Sequence, residues 1–162
     1  MIYEIKEITN IEKKQILEFY DNHCDKNISI IKSFLDVDRF SHLITIKDVD
    51  KIIGILPVIK SEVGRDYGEL TDNHYQFHRV VIHTDYRSQG YCNAILRMGV
   101  KLLIKKRADR IRVSKSSLNN VKHTIFTDMK FDLLKYNPEA LEFKHIYELD
   151  VNKVKNMWSQ YE

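Results

Sequence analysis

Paired cysteines, long apolar runs and net charge are all scarce in this chain, and each scarcity narrows its class. Cys24 and Cys92 are the only thiols among 162 residues. They form no CxxC pair, so neither zinc nor a disulfide framework follows from them, and lone thiols suit a reducing compartment. The net charge of +3 predicts no strong polyanion partner. No apolar run approaches the roughly 20 residues that span a bilayer, which argues against a membrane. Residues 1–6, Met-Ile-Tyr-Glu-Ile-Lys, alternate as a strand does and lack the apolar stretch of a secretory signal. Repeats, low-complexity tracts and linkers are missing too. These absences point to a soluble, cytoplasmic protein. The balance of 43% apolar and 30% charged residues suits one globular domain with a real core.

What is present is a run of strand and helix signals. Residues 1–8 read as a half-buried strand. Thr9-Asn10-Ile11-Glu12 has the form of a capping box and starts a helix running to about Asn22, with Ile16, Phe19, Tyr20 and His23 along one side. A second helix is expected over Ile28 to Leu35. A strand over His42 to Lys47 turns at Val49-Asp50 into another over Lys51 to Lys60. Residues 64–73 hold two glycines and three acids and read as an exposed loop. Tyr75 to His83 is expected as one continuous strand.

The helix from Asn93 to about Lys106 places Asn93, Arg97, Lys101 and Lys105 at every fourth position and is apolar almost everywhere between. It should be largely buried, and Gly99 points to close packing against a sheet. Arg110 to Ser114 is a short strand. Asn119 or Asn120 caps a helix with Val121, Ile125, Phe126 and Met129 on one face, and two late strands, Phe131 to Leu134 and Glu142 to Val151, flank a turn at Pro138. Residues 1–150 thus read as one α/β domain with a mixed sheet, in the order β-α-α-β-β-β-α-β-α-β-β. Residues 151–162 read as a tail, helical or frayed.

The chemistry concentrates in residues 82–93, Ile-His-Thr-Asp-Tyr-Arg-Ser-Gln-Gly-Tyr-Cys-Asn. A strand, a short loop with Gly90 and the start of a buried helix gather several unpaired backbone N–H groups where the helix dipole is positive. Arg87 adds a cation for a charge-assisted contact. The expected ligand carries phosphate.

This loop in this order of elements resembles the GNAT superfamily of N-acetyltransferases. The family's pyrophosphate loop, Arg/Gln-x-x-Gly-x-Gly/Ala, is matched by Arg87-Ser88-Gln89-Gly90-Tyr91-Cys92, and its Val-x-Pro-x-x-Arg lead-in by Ile82-x-Thr84-x-Tyr86-Arg87. Its Asn-x(6)-Tyr-x(3)-Gly-Phe signature is matched by Asn119, Phe126 and Lys130-Phe131. Cys92 replaces Gly or Ala, Phe126 replaces the tyrosine, and Lys130 replaces the glycine. The resemblance implies acetyl-CoA as acyl donor, held by Arg87, Ser88, Gln89, Gly90, Tyr91, Cys92 and Asn93, with Phe126 close by. Asn119 either touches the pantetheine arm, as in relatives, or only caps its helix. The resemblance also implies a main-chain N–H facing the thioester oxygen where the fourth and fifth strands splay apart, at Val80 or Ile82. In many members the tyrosine protonates the leaving thiolate, and Phe126 has no proton to donate.

Transfer to an amine needs a held acceptor and a base. His78 lies two residues before Val80 and four before Ile82, so on a regular strand all three side chains share a face. Arylalkylamine acetyltransferases, a branch of the family, carry a functional histidine at the equivalent position, which makes His78 the candidate general base; the plainer alternative is a histidine bonded within a half-buried sheet. His83 is expected on the opposite face and His123 on a solvated helix position. Loops of this kind border the substrate cleft in the family fold, so the resemblance implies that the acids of residues 62–72, with Asp36 and Asp38, form the acceptor side and favour a cationic amine; any single one of them reads more simply as an exposed solvating acid.

Two further readings use the same chain. Lys105, Lys106, Arg107, Arg110 and Arg112 crowd one helix end and the next strand, a patch suited to a nucleic-acid backbone or to the 3′-phosphate of CoA, although helix C-termini favour cations in any case. Phe126 favours a third reading, an acyl-CoA-binding protein without turnover. The acceptor, a small molecule or a protein amine, stays open, and late edge strands would allow a homodimer.

Overall fold

Apolar residues alternating along segments from both ends of the chain converge on a single mixed sheet. The structure is a computed structural model and describes residues 1–24, 28–60, 73–114, 123–139 and 145–159. In chain order the elements are β1 (Ile2–Glu7), α1 (Asn10–His23), α2 (Ser29–Asp36), β2 (His42–Asp48), β3 (Lys51–Lys60), β4 (His74–Phe77) and β5 (Val81–Ile82). A single 3-10 turn (Thr84–Tyr86) leads into α3 (Tyr91–Lys105), β6 (Arg110–Ser114), α4 (His123–Asp128), β7 (Asp132–Tyr136), β8 (His145–Asp150) and α5 (Val151–Ser159). The capping box at Thr9 forms, with the Thr9 N–H donating to Glu12 Oε2 at 3.0 Å.

The sheet runs β1-β2-β3-β4-β6-β8-β7, with β5 continuing beside β3. Only β4 and β6 pair in parallel. Successive residues of a strand face opposite ways, so Ile44, Leu56 and Phe77 face one side of the sheet while Leu43, Ile55 and Val81 face the other. Ile95, Leu96, Val100 and Leu103 of α3 pack on the first side. A Cβ added at Gly99 would lie 3.0 Å from the Phe77 ring and 3.2 Å from both Ile44 and Leu56, so this glycine sets how closely α3 approaches the sheet. Ile16, Phe19 and Tyr20 of α1 with Ile31 and Leu35 of α2 cover the second side.

Two expectations change. Val151 of α5 joins the α3-side core with Val154 and Met157 against it, so this part of the expected tail is packed helix. The strand expected over Tyr75 to His83 is broken between Phe77 and Val81, and the break matters for the chemistry.

Candidate active site

β3 faces β4 at Val58↔Phe77 and faces β5 at Ile55↔Val81. Between those pairs β3 has Leu56 and Pro57, whereas the facing chain has His78, Arg79 and Val80. One extra residue makes a β-bulge. Arg79 takes a left-handed φ of 25°, and the Pro57 carbonyl accepts from the His78 N–H at 3.0 Å. The pairing of β4 with β6 ends at Gln76↔Arg112, so the two strands part at the bulge. The His83 N–H donates to Ile53 O at 2.8 Å, and antiparallel alternation then turns the Ile82 N–H to the other edge, towards the gap. The Val80 N–H makes no hydrogen bond among the described residues. From α1, the buried Tyr20 hydroxyl donates to the Arg79 carbonyl.

The bulge corrects the expected common face of His78, Val80 and Ile82. Val80 and Ile82 lie with the α3-side core, whereas the His78 ring sits 5.1 Å from Phe34 and 5.6 Å from Phe40 on the α1/α2 side. The inserted residue reverses the alternation on which the expectation rested. Burial, with the Arg79 cation beside it, pushes His78 down to about 4. Its Nε2 has no hydrogen-bond partner among the described residues.

Beyond β5 the chain forms the expected loop. Ser88 and Gly90 adopt left-handed φ values of 61° and 86°. Gly90 is the N-cap of α3, and no side chain caps that end. Ala94 is the first residue whose N–H finds a helical partner, Gly90 O at 3.0 Å, so the Tyr91, Cys92 and Asn93 amides form the first turn of the helix. A Cβ at Gly90 would meet nothing within 4 Å, so glycine serves here for its φ and the space above it is clear. Ser88 and Gln89 are exposed, and Gln89 Nε2 donates to Asp85 O at 3.3 Å. Asn93 is half-buried, with Oδ1 accepting from Arg97 Nε at 3.0 Å. Arg87 works from behind: its Nε donates to Ile82 O at 3.1 Å and its Nη2 to the His23 carbonyl, fastening the loop to β5 and to the end of α1. His83 accepts from the Asp85 N–H at 3.1 Å and has a structural role in the turn.

Other expected site residues are placed differently. Phe126 is fully buried, stacked 5.0 Å from Tyr147 and edge-on to Phe131 at 5.8 Å. A phenyl ring with no hydroxyl to hydrate gains most from complete burial. Lys130 adopts a φ of 70°, the conformation that the family's glycine takes without strain. Asn119, Asn120 and the acidic stretch 62–72 lie outside the described residues, as does the side chain of His123. Asp38 pairs with Lys13 on α1.

The basic patch is taken apart by the fold. Arg112 is buried and donates to Glu148 Oε2 at 2.5 Å, and Arg110 Nη1 reaches Glu148 Oε1 at 2.7 Å. Burial works against ionisation of Glu148, but these hydrogen bonds win and hold its carboxyl below the usual range. His74, fully buried 3.6 Å from Glu148, is pushed down to about 4 by burial and by Arg112. The cluster was hidden in the sequence because it depends on the Arg112↔Glu148 register between β6 and β8.

The sequence-family comparison gives the same frame. The model of the acetyltransferase (GNAT) family matches residues 2–125. The chain belongs to this family. Its fold is similar to that of the ribosomal-protein-S18-alanine N-acetyltransferase from Escherichia coli, at 12% identity over 91% of this chain and 93% of that one, with a TM-score of 0.66. A GNAT family N-acetyltransferase from Escherichia coli in complex with CoA gives 0.67, at 10% identity over 94% and 83%. A GNAT family acetyltransferase from Brucella melitensis in complex with acetyl-CoA gives 0.62, at 11% identity over 92% and 88%. No curated protein matches the sequence. Membership makes the protein a GNAT N-acetyltransferase with acetyl-CoA as acyl donor. The residues fit that donor: a helix start that no side chain caps suits a pyrophosphate, and an amide at the splay with no hydrogen bond among the described residues suits a thioester oxygen.

Proposed function

We propose that the protein transfers an acetyl group directly from acetyl-CoA to an amine, using the bulge and the α3 loop as one site. The observation that carries this reading is their continuity: the unpaired Val80 amide and the uncapped start of α3 lie on one stretch, joined by β5 and its turn. When bound, acetyl-CoA supplies an activated acyl carbon with a good leaving group. The Val80 N–H then donates to the oxygen on which negative charge develops. The Ile82 N–H, two residues on and turned to the same gap, is placed for the pantetheine arm. The Tyr91, Cys92 and Asn93 amides and the α3 dipole hold the pyrophosphate, while Ser88, Gln89 and Gly90 shape the open rim and Arg87 keeps the loop in place. Cys92 is half-buried and brings only a small side chain to the helix start.

His78 is the proposed proton acceptor on the acceptor side. It is neutral throughout the physiological range, at the cost of basicity. Its signature would be a limb of kcat/KM near pH 4, with activity lost as the pH falls through it; a limb near 6.5 argues against His78. Phe126, buried against Tyr147, offers no proton donor. The nucleic-acid reading loses part of its support, because Arg110 and Arg112 are engaged by Glu148 while Lys105, Lys106 and Arg107 stay exposed.

Mass spectrometry of a broad amine panel incubated with protein and acetyl-CoA tests the reading. Acetylated product that needs both components supports it. Acetyl-CoA binding with no product and no CoA release favours a binding protein without turnover.

A further inference from the structure

We infer that Tyr20 is a positioning residue whose hydroxyl, by holding the Arg79 carbonyl, aims the Val80 N–H into the gap between β5 and β6. This rests on the function proposed above and adds to it a residue from α1, remote in sequence from the loop and the bulge. The Arg79 carbonyl and the Val80 N–H belong to one peptide unit. That unit is planar and trans, so the two groups point in opposite directions. Whatever fixes the carbonyl therefore fixes the amide. Tyr20 is 0% exposed, and its ring is clamped among Ile16, Phe19, Ile31 and Leu35, so its hydroxyl is delivered from a rigid place. A buried phenol needs a partner, and this one finds the bulge carbonyl.

The bulge needs such a tie. Its extra residue falls outside the β3 ladder, and Arg79 holds a φ of 25°, a region that L residues rarely adopt. A donor on the carbonyl also polarises the peptide and strengthens the N–H at its other end. The Tyr20 hydroxyl thereby sets both the direction and the strength of the proposed donor without touching the substrate.

Tyr20→Phe removes the hydroxyl and keeps the ring. Isotope-edited infrared spectra of acetyl-CoA carrying carbon-13 at the thioester carbonyl read the hydrogen bond directly. In the wild type the bound band is expected below its position in free acetyl-CoA, and in Tyr20→Phe it moves at least halfway back. In the ligand-free protein, the Val80 amide proton resonance should move upfield in the variant. The Kd for CoA, which lacks the carbonyl, should change less than about threefold, while kcat falls about tenfold, short of the roughly 100-fold or greater loss on deleting an oxyanion donor outright. A purely structural tyrosine would lower Tm and leave the band and the amide shift unmoved, which overturns the inference. A wild type that binds neither CoA nor acetyl-CoA overturns the proposed function itself, whereas a shifted band that ignores Tyr20→Phe overturns only the role of Tyr20. If Tyr20→Phe does not fold, 3-fluorotyrosine at position 20 makes a stronger donor, and the band must then move further down.

Discussion

The α3 loop and the β4–β5 bulge lie on one stretch of chain, yet they are built from different kinds of information. The loop is local. Gly90 takes its left-handed φ, α3 begins at the next residue, and the first-turn amides follow from helix geometry alone. The bulge is not local. It exists because β3 presents Pro57 and Leu56 to three residues, and because a tyrosine 59 residues away in sequence holds the Arg79 carbonyl. The proposed binding loop can therefore be recognised by its own residues, whereas the proposed amide donor depends on partners that only the fold supplies.

Four experiments bear on that contrast. Replacing Val80 with its α-hydroxy analogue turns the N–H into an ester oxygen. At the bulge this should lower kcat by roughly 100- to 1,000-fold while CoA affinity stays nearly unchanged, as steady-state kinetics and calorimetry would show. A fall in affinity alone would assign Val80 to binding, like the loop.

The second concerns His78, whose pKa falls from 6.5 to about 4 on folding. Between those values the unfolded chain binds the proton and the native protein does not, so stability should fall as the pH drops from 6.5 to 4 and level off below. The gap corresponds to at most roughly 3 kcal/mol. Thermal melts across this range should show the slope, and His78→Phe should flatten it, leaving the part due to His74, which is also pushed to about 4.

On the loop's own helix, Gly99→Val should cost about 1–3 kcal/mol through overpacking against Phe77, Ile44 and Leu56. Chemical denaturation measures it, and an unchanged midpoint would mean that α3 can shift away from the sheet. The smallest effect expected is at Gly90→Val, where the φ of 86° costs roughly 1–2 kcal/mol. CoA affinity should weaken by about tenfold with kcat at saturation retained. Loss of kcat instead would show that the loop and the bulge do not act separately.

Much of the fold was legible. The capping box at Thr9, the β2–β3 hairpin, the buried α3 and the β6 strand all follow from patterns within one element, and they appear close to where periodicity puts them. The glycine turn that starts α3 was legible for the same reason. His78 was placed on the wrong face because it was located by counting along the chain, and an inserted residue reverses such a count. Tyr20 showed only as part of the apolar stripe of α1, and nothing in that stripe reveals where its hydroxyl points. Arg112 read as a surface cation because Glu148, its partner across β6 and β8, is remote in sequence.

Patterning within single elements was enough to establish an α/β domain, a glycine-started helix, and a family resemblance that the family match bears out. Those features depend on interactions over a few residues, where backbone geometry leaves little choice. The fold alone decided which amide is unpaired, which way His78 faces and which charges are neutralised inside. Each of these depends on register between distant strands and on a helix packed over them, and one residue of slip changes them all.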